Sequence, residues 1–419
     1  MTWLYRILAV TLSLGVSLAV GEFAMRQIYV HPDQRLGHQK LFVQYDELLG
    51  WSKIPGKNGN HITSEYSIWE KMNSRGIRGP EYPYKKPEEE YRILILGDSY
   101  TEGYSVSFDS LFSELLKHDL NAEGGRQVEV INAGTGGYST DQELLFFKHY
   151  GRKYKPNLVI LMFAHNDVWY NSQDNYWRGA KPFFTLSNDR LVLNNVPVPP
   201  PRAQTDGESI REKQGLKTYV SPKDGASAIH RFKKFIIENS YIWAMMSEAF
   251  HNVYAIRNVM EKLGFFKRKP YRGDIPGVYK VWERVYDPEI MQSWKMTAAL
   301  IRELRDDVAA GGARFLVFYV PYRASIHEDV WQSMKRRYGV TEKRWDMEKV
   351  GTQLESLCND IGVDYINPTK KFQREAARLK TKRERLYYYY DGHWNEKGHA
   401  LAASVLNEHI TNGSFIKRK

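Results

Sequence analysis

From residue 91 onward the chain alternates short, unbroken apolar runs with stretches of helical periodicity, and no other feature constrains the fold as strongly. The runs are RILILG (92–97), VEVINA (128–133), LVILMF (158–163), RFLVFYV (314–320) and VDYIN (363–367). Apolar runs of this length, without polar alternation, suit strands covered on both faces. Helical patterns at 109–122, 140–152, 285–310, 342–360 and 396–411 lie between and after them. Such alternation predicts an α/β fold with a doubly wound, five-stranded parallel sheet.

One interval breaks the pattern. About 150 residues separate the third run from the fourth, far more than a crossover helix requires. An insertion is therefore placed at 174–284. Its Pro-rich part (180–205) contains a hairpin, FFTLSNDRLVLNNV, turning at Asn188-Asp189. A polar stretch (206–225) follows. Next come one or two amphipathic helices (226–264) carrying Phe232, Phe235, Tyr241, Trp243 and Met245. A basic cluster of Lys267, Arg268, Lys269 and Arg272 ends the insertion. The helices read as a lid packed on the core, with a membrane- or partner-docking face as the alternative.

The N-terminus narrows the setting. Ile7 to Gly21 reads ILAVTLSLGVSLAVG without a charge, and Trp3, Leu4, Tyr5 and a snorkelling Arg6 extend it. The segment then reaches the ~20 residues that cross a bilayer. Residues 1–26 are expected to anchor the chain by a single pass. A cleaved signal, with Ala19-Val20-Gly21 as the small-residue site, is the other reading. Both export the rest of the chain. The 60 Lys and Arg against 49 Asp and Glu give a net +11, a balance that suits nucleic acid, anionic lipid or an acidic polymer. Export removes nucleic acid. One cysteine, Cys358, precludes an intramolecular disulfide, and no Cys/His spacing indicates zinc. Residues 27–90, broken by Pro32, Pro55, Pro80, Pro83 and Pro87, read as a membrane-proximal arm wrapping onto the domain at 91–411.

The chemistry-bearing residues fall at strand ends. The first run leads into Gly97-Asp98-Ser99-Tyr100, which places a serine where open α/β sheets keep their active sites. The GxSxG elbow of α/β-hydrolases is absent from the sequence. The second run leads into Asn132-Ala133-Gly134-Thr135-Gly136-Gly137-Tyr138, a turn that brings backbone N–H groups close to a ligand. The third ends in Ala164-His165-Asn166-Asp167. Near the C-terminus Asp391-Gly392-His393-Trp394-Asn395 puts an acid and a histidine before a helix starting near Asn395. Asp98 and Asn132 are read as organisers of their turns, and His165 and His399 as structural histidines. The basic stretch from Lys370 to Arg385 is read as a solvated helical face, with attraction of an acidic polymer as its alternative.

Together these four blocks, in this order, resemble the SGNH (GDSL-type) hydrolase superfamily over about residues 91–411. Asn73-Ser74-Arg75-Gly76-Ile77-Arg78-Gly79 looks like a lead-in of membrane-anchored bacterial members that act on acylated exported polysaccharides. The resemblance implies a flavodoxin-like, three-layer sandwich. It implies Ser99 as nucleophile, His393 as base and Asp391 as its orienting acid. The oxyanion donors would be the Ser99 and Gly137 N–H groups and the Asn166 side chain. It implies no metal or organic cofactor, an acylated carbohydrate or other ester as substrate, polysaccharide-assembly proteins as partners, and a periplasmic catalytic domain. Two positions depart from the family pattern. Ala164 stands where Gly is usual, and Asp391 lies two rather than three residues before His393. In an extended segment residues i and i+2 share a face, which would still let that pair meet. The expected activity is ester hydrolysis or O-acyl transfer. The alternatives are a non-catalytic carbohydrate-binding subunit and a membrane-proximal lipase or phospholipase.

Overall fold

The computed structural model describes residues 2–29, 37–122, 126–201, 239–252, 274–413 and 415–416. These fall into two compact units. Residues 2–29, 37, 62–64 and 239–252 belong to one, and the remaining described residues to the other.

In the smaller unit, α1 (Thr2–Ile28) is a helix of 27 residues, about 40 Å long at 1.5 Å per residue. Its apolar side chains stand exposed all round, with Trp3 71% and Leu12 70% accessible. This helix is long and apolar enough to cross a membrane or to serve as a signal sequence. Near its end Glu22 caps a second helix, Tyr241–Asn252: its carboxylate accepts from Tyr241 N (2.8 Å), Ile242 N (3.2 Å) and Ser240 Oγ (2.9 Å). Arg26 donates to the Asn239 carbonyl at 2.9 Å and lies over the Tyr241 ring.

The larger unit is built on a five-stranded sheet: β1 (Tyr91–Gly97), β2 (Val128–Asn132), β3 (Leu158–Phe163), β4 (Arg314–Tyr319) and β5 (Asp364–Ile366). The order is β5-β4-β3-β1-β2, every pair parallel, which is the doubly wound, flavodoxin-like arrangement expected. Side chains alternate across the pleat. Leu94, Leu96, Val159, Leu161 and Val317 pack with α3 (Thr140–His149), α4 (Pro288–Ala310) and α5 (Lys349–Asp360). Ile93, Ile95, Leu158, Ile160, Leu316 and Phe318 pack with α2 (Phe112–Ala122), α6 (Thr369–Lys380) and α7 (Glu396–Asn412). Both faces being covered, the strands read as unbroken apolar runs. Asn395 opens α7 as expected, its side chain accepting from Lys397 N and Gly398 N.

Several expectations shift. The 109–122 pattern becomes a 3-10 turn, Phe108–Ser110, followed by α2. The 342–360 pattern starts as a helix only at Lys349, because Trp345 bridges to Glu283 instead. A helix at Glu328–Tyr338 went unanticipated, although Val330, Trp331, Met334 and Tyr338 recur at helical spacing and pack on the core. The expected hairpin is present, Phe183–Ser187 pairing with Arg190–Asn194. Asn188 and Asp189 have φ of 49° and 58°, the conformation of a type I′ turn. Of the anticipated 226–264 helices, Tyr241–Asn252 is described. The 206–225 stretch, Phe232, Phe235, Lys267, Arg268, Lys269 and Arg272 lie outside the described residues.

Residues 38–61 and 65–90 belong to the same compact unit as the sheet. Within them Val43–Asp46 pairs antiparallel with Gly50–Lys53, and Phe42 and Trp51 are fully buried. Asn73 shapes the lead-in turn by accepting from Arg75 N and Ile77 N. Arg78 runs inward to bond the carbonyls of Gly103 and Val106, both at 2.7 Å.

Candidate active site

Ser99 is the first residue of a helical turn, Ser99–Glu102, that leaves the end of the central strand β1. Asp98 caps the turn, its Oδ1 accepting from Tyr100 N at 2.9 Å, the organising role expected of it. This geometry lifts the Ser99 hydroxyl above the carboxyl edge of the sheet. His393 Nε2 lies 2.7 Å from Ser99 Oγ. On its other side His393 Nδ1 lies 2.6 Å from Asp391 Oδ1, whose carboxylate also accepts from Tyr66 OH at 2.9 Å. With the proton on Nδ1 facing Asp391, the Nε2 lone pair faces the serine hydroxyl.

The way Asp391 reaches His393 differs from the expectation. The segment is turned rather than extended: Gly392 sits between them at φ 86°, and the His393 N–H donates to Asp391 Oδ1 at 3.2 Å. The glycine makes the short spacing workable, since side chains rarely tolerate that conformation. Burial works against the imidazolium, but the Asp391 charge and hydrogen bond outweigh it, raising the His393 pKa above the usual histidine value. For Asp391, burial raises the pKa. The His393 charge and the hydrogen bonds from His393 and Tyr66 overcome this and hold it well below the usual carboxylate range.

Gly137 (φ 79°) and Asn166 line the same cavity as Ser99 and His393, a space of about 370 Å³. The Gly137 N–H has no protein acceptor among the described residues. Asn166 Nδ2 stands 3.4 Å from Asp98 Oδ2, a long contact that leaves the amide available to the cavity. Ala164 adopts φ −107°, so its methyl meets no backbone penalty where the family pattern has glycine. The rest of the wall is largely aromatic, with Tyr176, Trp177, Tyr279 and Tyr322, and the Arg323 guanidinium lies beside them.

Other singled-out residues fall elsewhere. His399 is buried; its Nδ1 accepts from Phe112 N at 3.4 Å, and its ring lies against Phe112 and Trp394. His165 packs against Trp282 and Tyr322, which also touch each other, at the cavity wall. Asn132 accepts from Gly134 N and donates to Thr101 O, which fixes its turn. Of the tyrosines at 387–390, Tyr387 is buried and the next three are partly exposed. On α6, Lys370, Lys371 and Arg378 pair with Glu348, Glu408 and Glu375, as a solvated face does.

Sequence reasoning missed the residues behind the site. Tyr104 OH approaches His393 Nδ1 at 3.2 Å, and Glu65, Trp51, Lys53 and Glu102 bond the loops on either side. Only the 73–79 motif signalled that this region mattered. Deeper still, ligating atoms of His38, Glu70 and Glu102 lie within 4.8 Å of one another, a spacing that suits a metal ion. Lys53 and Arg78, also buried, already balance the two carboxylates, so a divalent ion would add uncompensated buried charge. The donor set fits an ion network better than a metal. Burial opposes a charge on His38, yet Glu102 and Glu70 raise its pKa to about 9.

Comparison with known proteins gives two family matches. Residues 95–218 match the GDSL-like Lipase/Acylhydrolase family, and residues 278–418 match the SGNH hydrolase-like domain of the acetyltransferase AlgX. No curated protein matches the chain. Among solved structures, a variant of an acetylxylan esterase from Geobacillus stearothermophilus is 12% identical (TM-score 0.37), covering 78% of this chain and 97% of its own. A lipase/acylhydrolase from Enterococcus faecalis is 13% identical (TM-score 0.38), covering 78% and 98%. Between them the two family models take in the strand-end serine block and the C-terminal acid–histidine block, so at both ends of the domain the chain is similar to SGNH (GDSL-type) hydrolases.

Proposed function

We propose that this protein is a membrane-anchored, extracytoplasmic serine esterase or O-acyltransferase acting on acyl esters, foremost acetyl esters, of an exported polysaccharide. The observation that carries the reading is the Ser99–His393–Asp391 line, with separations of 2.7 and 2.6 Å, opening onto one cavity. Ser99 Oγ attacks the ester carbonyl while His393 Nε2 takes the hydroxyl proton, and Asp391 stabilises the resulting imidazolium. The Ser99 and Gly137 N–H groups and the Asn166 amide receive the oxyanion. On collapse the alcohol leaves with the proton from His393, and Ser99 holds the acyl group. Water, or a sugar hydroxyl, then repeats the sequence in reverse, giving the acid or a new ester. The flat aromatic walls suit the apolar faces of sugar rings. The length and exposure of α1 support the anchor.

Mass spectrometry after treatment with an alkyl fluorophosphonate tests the reading. A phosphonate adduct on Ser99, suppressed by an acetylated oligosaccharide, is the expected result. Following a labelled acetyl group then separates free acetate from acetyl moved to an acceptor sugar. A folded protein that takes no label and releases or transfers no acetyl is a binding subunit instead.

A further inference from the structure

We propose that residues 38–61 and 65–90 contain a working part of the site, with Trp51, Lys53 and Glu65 as positioning residues for its two loops, 134–137 and 389–393. The inference rests on the esterase reading for its catalytic consequence and on hydrogen bonding for its geometry.

The first loop, Gly134-Thr135-Gly136-Gly137, offers almost no side chains by which it could be packed, so its shape follows from what its backbone groups bond. Trp51 Nε1 donates to the Gly136 carbonyl at 3.0 Å, and Lys53 Nζ donates to the Gly134 carbonyl. Trp51 and Lys53 are two residues apart on one strand and so present the same face. The Gly136 N–H donates to Glu102 Oε2 at 2.7 Å, the Gly134 N–H to Asn132 Oδ1 at 3.0 Å and the Thr135 N–H to Gly97 O at 2.9 Å. The neighbouring groups being tied, the Gly137 N–H is left to the cavity. Its direction is set from behind.

The second loop holds Asp391 and His393. The Glu65 carboxylate accepts three consecutive N–H groups, from Tyr389 (2.7 Å), Tyr390 (3.0 Å) and Asp391 (2.8 Å). Successive amides converging on one anion fix the backbone as a nest does. The next residue, Tyr66, bonds Asp391 Oδ2. One segment thus holds both the oxyanion donor and the acid–base pair. A spacer between membrane and enzyme would need neither contact.

The test uses the full chain in detergent micelles. Trp51→Phe keeps the ring and removes one N–H; Glu65→Gln keeps the size and removes the charge; Trp69→Phe, on an exposed side chain, is the control. Hydrogen–deuterium exchange is followed in peptides covering 132–140 and 386–394. Trp51→Phe is expected to speed exchange in the first by about tenfold and leave the second unchanged, and Glu65→Gln to do the reverse. With an aryl acetate, each should lower kcat about tenfold with KM within twofold, and Glu65→Gln should also move the pH limb governed by His393. Exchange or kcat equal to the parent's in folded variants overturns the proposal. If Trp51→Phe fails to fold, Glu65→Gln decides by the same two readouts. A parent inert toward esters whose variants still show loop-specific exchange overturns the esterase reading and leaves the positioning standing.

Discussion

Gly392 lets Asp391 and His393 meet across a two-residue spacing where the family pattern has three. On the proposed reading His393 is the base, and a base acts only when neutral. Its pKa is raised above the ordinary histidine value, so kcat/KM should climb with pH through a limb lying above about 6.5. Asp391→Asn removes the charge that raises that pKa; the limb should move to lower pH while kcat falls. A limb that stays in place in the Asn variant would detach Asp391 from His393. Ser99→Ala should cost on the order of 10⁶ in kcat and His393→Ala nearly as much, measured with p-nitrophenyl acetate on folded samples. Asn166→Ala should lower kcat by roughly 10²–10³, the scale of one oxyanion donor, and a change confined to KM would make it a ground-state binding residue. His399→Ala should keep most of the activity, since its ring packs on Phe112 and Trp394 instead of the serine. Ser99, Gly137, Asn166, Asp391 and His393 were legible because each sits in a short motif at a strand end or before a helix. Trp51, Lys53 and Glu65 were not. They act through backbone groups 85, 81 and about 325 positions away, and no local pattern records such a pairing.

Among the elements, the five strands were legible almost to the residue because their centres are apolar and, in the inner strands, covered on both faces. The helix Glu328–Tyr338 was missed although its apolar residues keep helical spacing, because they are few among many charges. The arm was read as turn-rich because its strands are only four or five residues long and prolines lie between and after them. Helix α1 was legible from composition, yet composition leaves anchor and cleaved signal open. The structure adds Glu22 and Arg26, both occupied with the start of the Tyr241–Asn252 helix. Cleavage after Gly21 would free the end of the helix that makes those bonds. Intact-mass measurement of protein purified from membranes should therefore give the full chain beginning at residue 1, and alkaline carbonate should leave it in the membrane pellet. A mass lacking residues 1–21, with the protein in the soluble fraction, would establish the cleaved signal instead.

At the scale of the molecule, buried histidines of opposite sense couple stability to pH. His38 lies among carboxylates; despite the cost of burial, Glu102 and Glu70 raise its pKa to about 9. Glu102, which burial alone would raise, is lowered to about 2 by His38 and Lys53, so the two shifts describe one shared interaction. A group whose folded pKa is raised contributes stability that is complete below the unfolded value, near 6.5, and is lost as pH rises through the folded value. His399 is the converse case. Burial first, then the charges of Arg78 and His393, lowers its pKa to about 3. Its unfolded form takes up a proton near 6.5 while the folded form does not, so its contribution fades as pH falls from about 6.5 toward 3. Single substitutions should expose both limbs as differences from the parent. The Tm gap between the parent and His38→Gln should be widest at or below pH 6.5 and close as pH passes 9. The gap for His399→Asn should instead be widest above pH 7 and narrow toward pH 4. Thermal unfolding followed by circular dichroism from pH 4 to 10 measures both, and gaps that stay constant with pH would mean that neither histidine is charged or neutral as its surroundings dictate.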